Sequence, residues 1–250
     1  MENLFLEIVL FAIFGIAIGM ISGFFGIGGG SFVSPLMLAF GYDIKTAIGI
    51  SIMQMVFSSV FGSVVNYKAG KLKINDGLSV GIGGLVGAFF SGFIVKNIPS
   101  IYLEIGLTFA LFICILKFFV TIENGKNEIN SRFLLFVIGF LIGMFAISMG
   151  IGGAMFLTPI LVGFMGYDLK KAVSMGLFFV IFSSISGLIS MMINGFVNYK
   201  YGFLLGIGSL VGVYFGVKMS HMVEKNLQKK LLLVLYLVMF ILMVKQIFFN

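Results

Sequence analysis

Long apolar stretches separated by short polar connections dominate the chain. A helix needs about 20 apolar residues to cross a membrane. Eight stretches approach that length, at 4–25, 45–66, 77–95, 100–120, 132–150, 169–193, 202–219 and 228–249. The strongly polar connections lie at 67–76, 121–132 and 218–230. This pattern predicts an all-α multi-pass membrane protein with about eight transmembrane helices.

Two additional apolar pieces, 26–40 and 151–165, follow the first and the fifth predicted spans. Residues 4–40 form an almost unbroken apolar run of 37 residues. As one helix this run would be about 55 Å long, at 1.5 Å per residue, whereas the hydrocarbon core of a membrane is about 30 Å thick. The chain must therefore break, turn back or tilt strongly, and the stretch GFFGIGGGSFVSP at 23–35 is where we expect it to break.

The two halves of the chain repeat one another. GIGGGSFVSP (26–35) aligns with GIGGAMFLTP (150–159), GYDIKTA (41–47) with GYDLKKA (166–172), FSSVFG (57–62) with FSSISG (182–187), and GIGGLVG (81–87) with GIGSLVG (206–212). The offset is 124 residues at the first motif and 125 at the others. We therefore expect a first four-helix repeat at 1–120, a polar linker at 121–131 and a second four-helix repeat at 132–250.

Duplicated halves with interrupted helices at matching positions are typical of transporters, whose substrate site lies at the interruptions. Four spans per half would give both repeats the same orientation, whereas a 26–40 segment that crossed the membrane would invert them. The Lys and Arg residues divide eight against eight between the two sides of the eight-span arrangement. Charge therefore does not determine which side faces the cytoplasm.

Composition supports a membrane protein. The chain is 60% hydrophobic and 10% charged, with a mean hydropathy of +1.18, whereas soluble domains contain about 25% charged residues. The basic residues behind the net charge of +7 are scattered over the ends of the apolar runs, a pattern typical of loop anchors and not of nucleic-acid binding.

The start, MENLFLE, lacks the basic region of a secretory signal. We expect a retained first span and a multi-pass protein of the cell (plasma or inner) membrane.

The glycine-rich segment at 26–35 has several interpretations. A dinucleotide-binding turn needs G-x-G-x-x-G after a strand, but position 31 is Ser31 and the context is helical; a phosphate loop needs Gly-Lys-Ser/Thr, which is missing. A surface loop would be more polar. We favour an unwound segment at membrane depth, which is tolerated only where protein or a water-filled cavity surrounds it.

Such a segment would bind an anion at the start of a short helix. Gly28, Gly29 and Gly30 would free backbone amides, and Pro35 would be tolerated in the first helical turn. Helix N-termini attract anions, and the second repeat would supply another. The candidate substrate-binding residues are Gly28, Gly29, Gly30, Ser31, Pro35, Ser51, Gln54, Gly150, Gly152, Gly153, Thr158 and Pro159. No catalytic pair, metal-ligand set or cofactor motif is evident, so we expect no enzyme and no cofactor.

Other small and polar residues have structural interpretations. Helix packing explains the glycines of the third and seventh spans, Gly81, Gly83, Gly84, Gly87, Gly206, Gly208 and Gly212. Serines in membrane helices often bond back to their own backbone, which applies to Ser58, Ser59, Ser183 and Ser184. A lysine lies two residues after each of Asp43 and Asp168. We interpret these two aspartates as helix caps at the membrane interface. Cys114 is the single cysteine, which excludes an internal disulfide.

The sequence resembles the sulfite exporter TauE/SafE family of membrane transporters. The resemblance covers nearly the whole chain and rests on GIGGGSFVSPLM (26–37), AIGIS (47–51) and the glycine-rich third and seventh spans. It implies two four-helix repeats and transport of small anions, often sulfur oxyanions or organosulfonates. Three features depart from the family or from the symmetry of the repeats. The second repeat has Gly153, Ala154 and Met155 where the first has Gly29, Gly30 and Ser31. It also has Gly176 where the first has Ser51. Members of the family often have an Asp–Trp pair at two places where this chain has Lys73–Ile74 and Asn198–Tyr199.

We therefore expect a secondary carrier of a small anion, such as sulfite, a sulfonate or another sulfur oxyanion. Its expected partners are that substrate and the lipid bilayer, without nucleic acid. The alternatives are a carrier of a metal cation or a neutral solute, and a membrane scaffold that transports nothing. The coupling proton or ion, the direction of transport and the oligomeric state stay open.

Overall fold

The computed structural model describes residues 2–68, 74–117, 129, 131–167, 169–220 and 222–249. These residues form eleven helices and no strand, which confirms the all-α prediction for the described part of the chain. The helices are α1 (Glu2–Phe25), α2 (Gly30–Ala39), α3 (Ile44–Lys68), α4 (Ile74–Phe89), α5 (Ser91–Asn97), α6 (Ser100–Lys117), α7 (Arg132–Ser148), α8 (Ala154–Gly163), α9 (Leu169–Ile193), α10 (Tyr199–Ser220) and α11 (Lys225–Phe249). Most of the predicted linker at 121–131 lies outside the described residues.

Six segments of the described chain are long and apolar enough to cross a membrane. They are Glu7–Phe25, Ile44–Val65, Gly77–Asn97, Lys171–Ile193, Tyr199–Ser220 and Lys230–Phe248. These correspond to six of the eight predicted spans. The remaining two predicted spans, 100–120 and 132–150, form the shorter apolar helices α6 and α7.

Both predicted interruptions are present, and glycines with positive φ produce them. Between α1 and α2, φ is +70° at Gly26, +80° at Gly28 and +77° at Gly29. The corresponding angles between α7 and α8 are +69° at Gly150, +84° at Gly152 and +73° at Gly153. Side-chain-bearing residues rarely adopt this conformation. The helices that follow, α2 and α8, have ten residues each, about 15 Å, which is too short to cross.

The structure corrects the predicted place of the two prolines. Pro35 is the sixth residue of α2, and Pro159 is the sixth residue of α8. Both therefore lie in the second turn and not in the first, because each helix begins directly at the glycine cap. The first bond of each helix is present, from Val33 N to Gly29 O and from Leu157 N to Gly153 O, and the proline removes the third.

Two helix pairs pack with their backbones in direct contact, α1 against α10 and α7 against α4. A Cβ atom at Gly212 would overlap the carbonyl oxygen of Ile16, and one at Gly87 would overlap that of Phe140. This confirms the packing interpretation of the glycines in these helices. In lipid, close backbone approach at small residues is a main source of helix association.

Corresponding contacts also occur across the middle of the molecule. Gly81 of α4 faces the ring of Phe182 in α9, and Gly206 of α10 faces the ring of Phe57 in α3. The two contacts are equivalent under the repeat, because Gly206 lies 125 residues after Gly81 and Phe57 lies 125 residues before Phe182. Helices α3 and α9 also pack against each other, and the glycine segments lie beside this central pair.

Most of the polar residues that we assigned structural roles do have them. Asp43 Oδ1 accepts hydrogen bonds from the amides of Lys45 and Thr46, at 3.0 Å each, so it caps α3 as predicted. Asp168, the second predicted cap, lies outside the described residues. All four serines have a carbonyl of their own helix as a hydrogen-bond partner, Met55 O for Ser58, Val56 O for Ser59, Phe179 O for Ser183 and Ile181 O for Ser184.

Candidate functional site

The two glycine segments meet at the centre of the protein. A Cβ atom at Gly30 would overlap the carbonyl oxygen of Gly150, and one at Gly152 would lie 3.5 Å from the carbonyl oxygen of Ile27. A side chain at position 30 would force the two backbones apart, whereas 3.5 Å at Gly152 is an ordinary contact. The two glycines therefore have different tasks, since Gly30 permits the close contact and Gly152 adopts a positive φ.

Ser51 of α3 joins the two segments. Its Oγ lies 2.9 Å from the carbonyl oxygen of Gly150 and 3.2 Å from that of Gly30, and its side chain is fully buried. A hydroxyl has one proton, so Ser51 donates to one of the two carbonyls at a time. This proton is consequently engaged with the backbone, and Ser51 acts as a brace between the segments.

Gln54, one turn further along α3, has a polar group without a partner. Its exposed fraction is 0%, and neither Oε1 nor Nε2 has a hydrogen-bond partner among the described residues. A Cβ atom at Gly29, the N-terminal cap of α2, would lie 2.9 Å from Oε1 and 3.2 Å from Nε2. A buried unsatisfied polar group costs about 1–3 kcal/mol. The unpaired amide of Gln54 at the beginning of α2 therefore lowers the stability of the protein.

Further hydrogen-bond donors surround the same helix start. The hydroxyl groups of Ser31 and Ser34 are buried and without a partner in the described structure. Among the described residues, the backbone N–H groups of Gly29, Gly30 and Ser31 also find no acceptor. The first N–H groups of a helix lack intrahelical partners and carry the positive end of its dipole. The start of α2 is thus a concentration of unused donors in the protein interior.

The second glycine segment has a different, apolar neighbourhood. A Cβ atom at Gly153 would lie 2.6 Å from Cε1 of Phe179 and 2.9 Å from Ile142. Phe179 occupies the position that corresponds to Gln54 at the 125-residue offset. The Thr158 hydroxyl donates to the carbonyl oxygen of Ala154 at 3.0 Å. The polar groups are therefore gathered on the side of the first segment.

The structure brings most of the predicted site residues to one place. Those that lie at the meeting point of the segments, or on the face of α3 beside it, are Gly28, Gly29, Gly30, Ser31, Ser51, Gln54, Gly150 and Gly152. Gly153 and Thr158 lie on the apolar side. Pro35 and Pro159 lie one turn along their helices and make no polar contact that would hold a ligand.

Sequence reasoning missed three residues at this place. Ser34 lies against Gly150, where a Cβ atom would overlap its hydroxyl. The Met55 sulfur would lie 2.6 Å from a Cβ atom at Gly152 and fills the space between the segments. Ser58 has the predicted partner within its helix, Met55 O at 3.2 Å, and also lies 3.1 Å from the carbonyl oxygen of Gly28. The helical spacing of Ser51, Met55 and Ser58 was a usable signal, because residues at i, i+4 and i+7 share one face.

A cluster of ionisable side chains lies away from this site, near the beginnings of α1 and α10. Glu7 accepts from Lys200 at 2.8 Å and from the hydroxyl of Tyr201. The ring of Tyr42, in the loop after α2, packs edge-on against Tyr201 with centroids 5.4 Å apart. Burial, with a smaller contribution from Tyr201, raises the pKa of Tyr42 to about 12. Tyr42 is therefore neutral at physiological pH, and the loop after α2 is attached to the two helix beginnings.

Charged groups are absent from the buried part of the described chain. The buried polar side chains there are serines and Gln54, without Lys, Arg, Asp or Glu. Within the same residues no three His, Cys, Asp or Glu side chains lie close enough to hold a metal ion. The site can therefore offer a ligand hydrogen-bond donors and helix dipoles, and no full charge.

Comparison with known proteins finds one matching family model and several relatives. The family model described as sulfite exporter TauE/SafE matches residues 11–243. A probable membrane transporter protein of Methanocaldococcus jannaschii is 31% identical over 208 residues, which is 77% of this chain and 75% of the relative. A probable membrane transporter protein of Bacillus subtilis is 30% identical over 190 residues, which is 73% of this chain and 78% of the relative. No solved structure matches the chain.

The apolar helices and these relatives define a multi-pass protein of the cell membrane. The chain belongs to the sulfite exporter TauE/SafE family, a family of membrane transporters.

Proposed function

We propose that the protein is a secondary carrier of small anions, with sulfite, sulfonates or other sulfur oxyanions as substrates, and that it performs no enzymatic reaction. The observation that carries this proposal is the unpaired amide of Gln54 beside Gly29, the cap of α2. An unpaired buried amide at a positive helix end is what an anion site needs when no anion is bound.

The anion would be held by donors from α2 and α3. The N–H groups at the start of α2, the Nε2 group of Gln54 and the hydroxyls of Ser31 and Ser34 are available for this. Oxyanions accept several hydrogen bonds, and bonds to an ionised acceptor are about twice as strong as neutral ones. These groups together match the acceptor-rich surface of a sulfur oxyanion.

Two serines would protect the anion from the carbonyl oxygens nearby. Unpaired carbonyl oxygens carry partial negative charge and would repel an anion. Ser51 donates to Gly150 O or Gly30 O, and Ser58 lies 3.1 Å from Gly28 O. We therefore propose that the hydroxyls of Ser51 and Ser58 donate hydrogen bonds to these carbonyl oxygens, while the N–H groups at the start of α2 bind the substrate.

Transport would require the buried site to open to each side in turn. Ser31 and Gln54 have an exposed fraction of 0%, so the described conformation is closed to solvent on both sides. We propose that the moving parts are two four-helix repeats, 1–120 and 132–250, joined by the linker at 121–131. In this arrangement α6 and α7 are the fourth and fifth of eight spans. The corresponding contacts of Gly81 with Phe182 and of Gly206 with Phe57 support the assignment.

Sulfite flux into liposomes that contain only this protein tests the proposal. We expect saturable flux in the wild type and none in Gly29→Leu, because a side chain at position 29 would be strained at a φ of +77° and would displace Gln54. Gly41→Leu is the matched control, since Gly41 has a φ of +87° and open space beyond it. Full flux in folded Gly29→Leu would remove the glycine segment from the mechanism. Absence of flux in the folded wild type would contradict sulfite transport.

A further inference from the structure

The site has a definite limit on the charge that it can neutralise. Among the side chains whose burial the structure describes, no Lys, Arg, Asp or Glu is buried; the buried ones with polar character are serines and Gln54. Glu7 and Lys200 form an ion pair at 2.8 Å near the beginnings of α1 and α10. Within the part of the chain that the structure describes, the positive potential at the site therefore comes from oriented peptide groups.

The oriented peptide groups provide at most about one positive charge. The dipole of a helix is equivalent to about half of an elementary charge at its N-terminus. Two helices, α2 and α8, begin at the segments that meet here. The amide of Gln54 and the hydroxyls of Ser31 and Ser34 add hydrogen bonds without adding net charge.

The surroundings are also polar on one side only. Gln54 lies beside Gly29 at the start of α2, and the Ser34 hydroxyl of α2 lies against Gly150. The Met55 sulfur lies between the segments, and Phe179 covers Gly153. An anion with charge on one face and an uncharged group on another matches this distribution. A charge placed against Met55 or Phe179 would be desolvated without compensation.

We infer that the site selects singly charged oxyanions, which for sulfite means its protonated form hydrogensulfite, and discriminates against doubly charged ones of the same shape. The inference rests on the proposed function and specifies its substrate class. A single negative charge is balanced by the helix ends and the donors. The second charge of a dianion would be buried without a counter-charge, which is strongly unfavourable in a protein interior.

Methanesulfonate and sulfate form a suitable pair of probes. Both are tetrahedral at sulfur. Methanesulfonate has a methyl group in place of one of the four oxygens of sulfate, and it carries one negative charge where sulfate carries two. We expect liposomes with the wild-type protein to take up labelled methanesulfonate saturably and sulfate at least about tenfold more slowly. Uptake of sulfate as fast as methanesulfonate would overturn the inference and leave the anion carrier standing. Uptake of neither probe, nor of sulfite, would overturn the inference together with the proposed function.

A charge substitution provides a second, independent test. Gln54→Lys would add a positive charge beside Gly29, so the ratio of sulfate uptake to methanesulfonate uptake should rise at least about tenfold. Gln54→Leu is the control, since it removes the donors without adding a charge and should reduce uptake of both probes. An unchanged ratio in folded Gln54→Lys would contradict the inference. If that variant does not fold, the ratio for the wild type decides.

Discussion

The hydroxyl oxygen of Ser51 lies 2.9 Å from the carbonyl oxygen of Gly150, a residue 99 positions further along the chain. The same oxygen lies 3.2 Å from the carbonyl oxygen of Gly30. One side chain thus connects the two places where the helices of this protein break. The broken segments form a single structural unit, and the properties of that unit lead to the following predictions.

Ser51→Ala should lower the stability of the protein. The substitution leaves the buried carbonyls of Gly30 and Gly150 without this donor, and an unsatisfied buried group costs about 1–3 kcal/mol. The midpoint of thermal unfolding in detergent measures the effect. Ser59→Ala is the control, because Ser59 is also buried in α3 but lies near only Val56 O of its own helix. Equal midpoints for the two variants would show that Ser51 does not brace the segments.

Gln54→Leu should separate stability from function. Replacing an unpaired buried amide by an apolar group of similar size removes a desolvation cost of about 1–3 kcal/mol. The variant should therefore be at least as stable as the wild type while its sulfite flux falls to background. Both quantities can be measured on one preparation, by thermal unfolding and by liposome uptake. A loss of stability together with normal flux would assign Gln54 a purely structural role.

Gly29→Ala should impair transport more than Gly41→Ala. Both glycines have positive φ, +77° and +87°, so each substitution carries a similar backbone strain of about 1–2 kcal/mol. Only at Gly29 does the new methyl group approach a neighbour, Gln54 Oε1 at 2.9 Å; at Gly41 nothing lies within 4 Å. Flux normalised to folded protein makes the comparison. Similar fluxes in the two variants would contradict a role for the space between Gly29 and Gln54.

Gly212→Ala should destabilise the contact between α1 and α10. The added methyl group would overlap the carbonyl oxygen of Ile16, and overpacking of this kind costs about 1–3 kcal/mol or more. Gly62→Ala is the control, since its methyl group would lie at an ordinary 3.4 Å from Val213 and alanine favours helix by up to about 1 kcal/mol over glycine. Unfolding midpoints in detergent should fall for the first variant and not for the second. The reverse order would refute the packing argument.

The broken helices were predictable from sequence because their cause is local. The pattern G-x-G-G at 26–29 and 150–153 combines residues that adopt positive φ, and the apolar run around the first is too long for one span. The caps of α2 and α8 at Gly29 and Gly153 follow directly. The second-turn position of Pro35 did not follow, since a shift of a few residues in a helix start changes little in the apolar pattern.

The neighbours of the glycines were not predictable, because they depend on which helices pack together. Periodicity along one helix does not determine that α1 packs on α10, or that Gly30 meets Gly150. Ser51 illustrates the consequence. Its sequence position indicated a donor for the substrate, whereas in the structure its proton is directed at backbone carbonyls of both segments. Gln54, one turn further along the same helix, is unpaired in the described structure, and only the surroundings of Ser51 and Gln54 distinguish the two roles.

Anion-dependent stabilisation of the purified protein tests the central claim most directly, because it reports binding without a complete transport cycle. A ligand that binds the folded state at 100 times its Kd stabilises it by about 2.7 kcal/mol. We predict that sulfite raises the unfolding midpoint of the wild type in detergent and leaves that of Gln54→Leu unchanged, with equal chloride as the reference salt. An equal rise in both proteins would place the anion elsewhere and contradict the account.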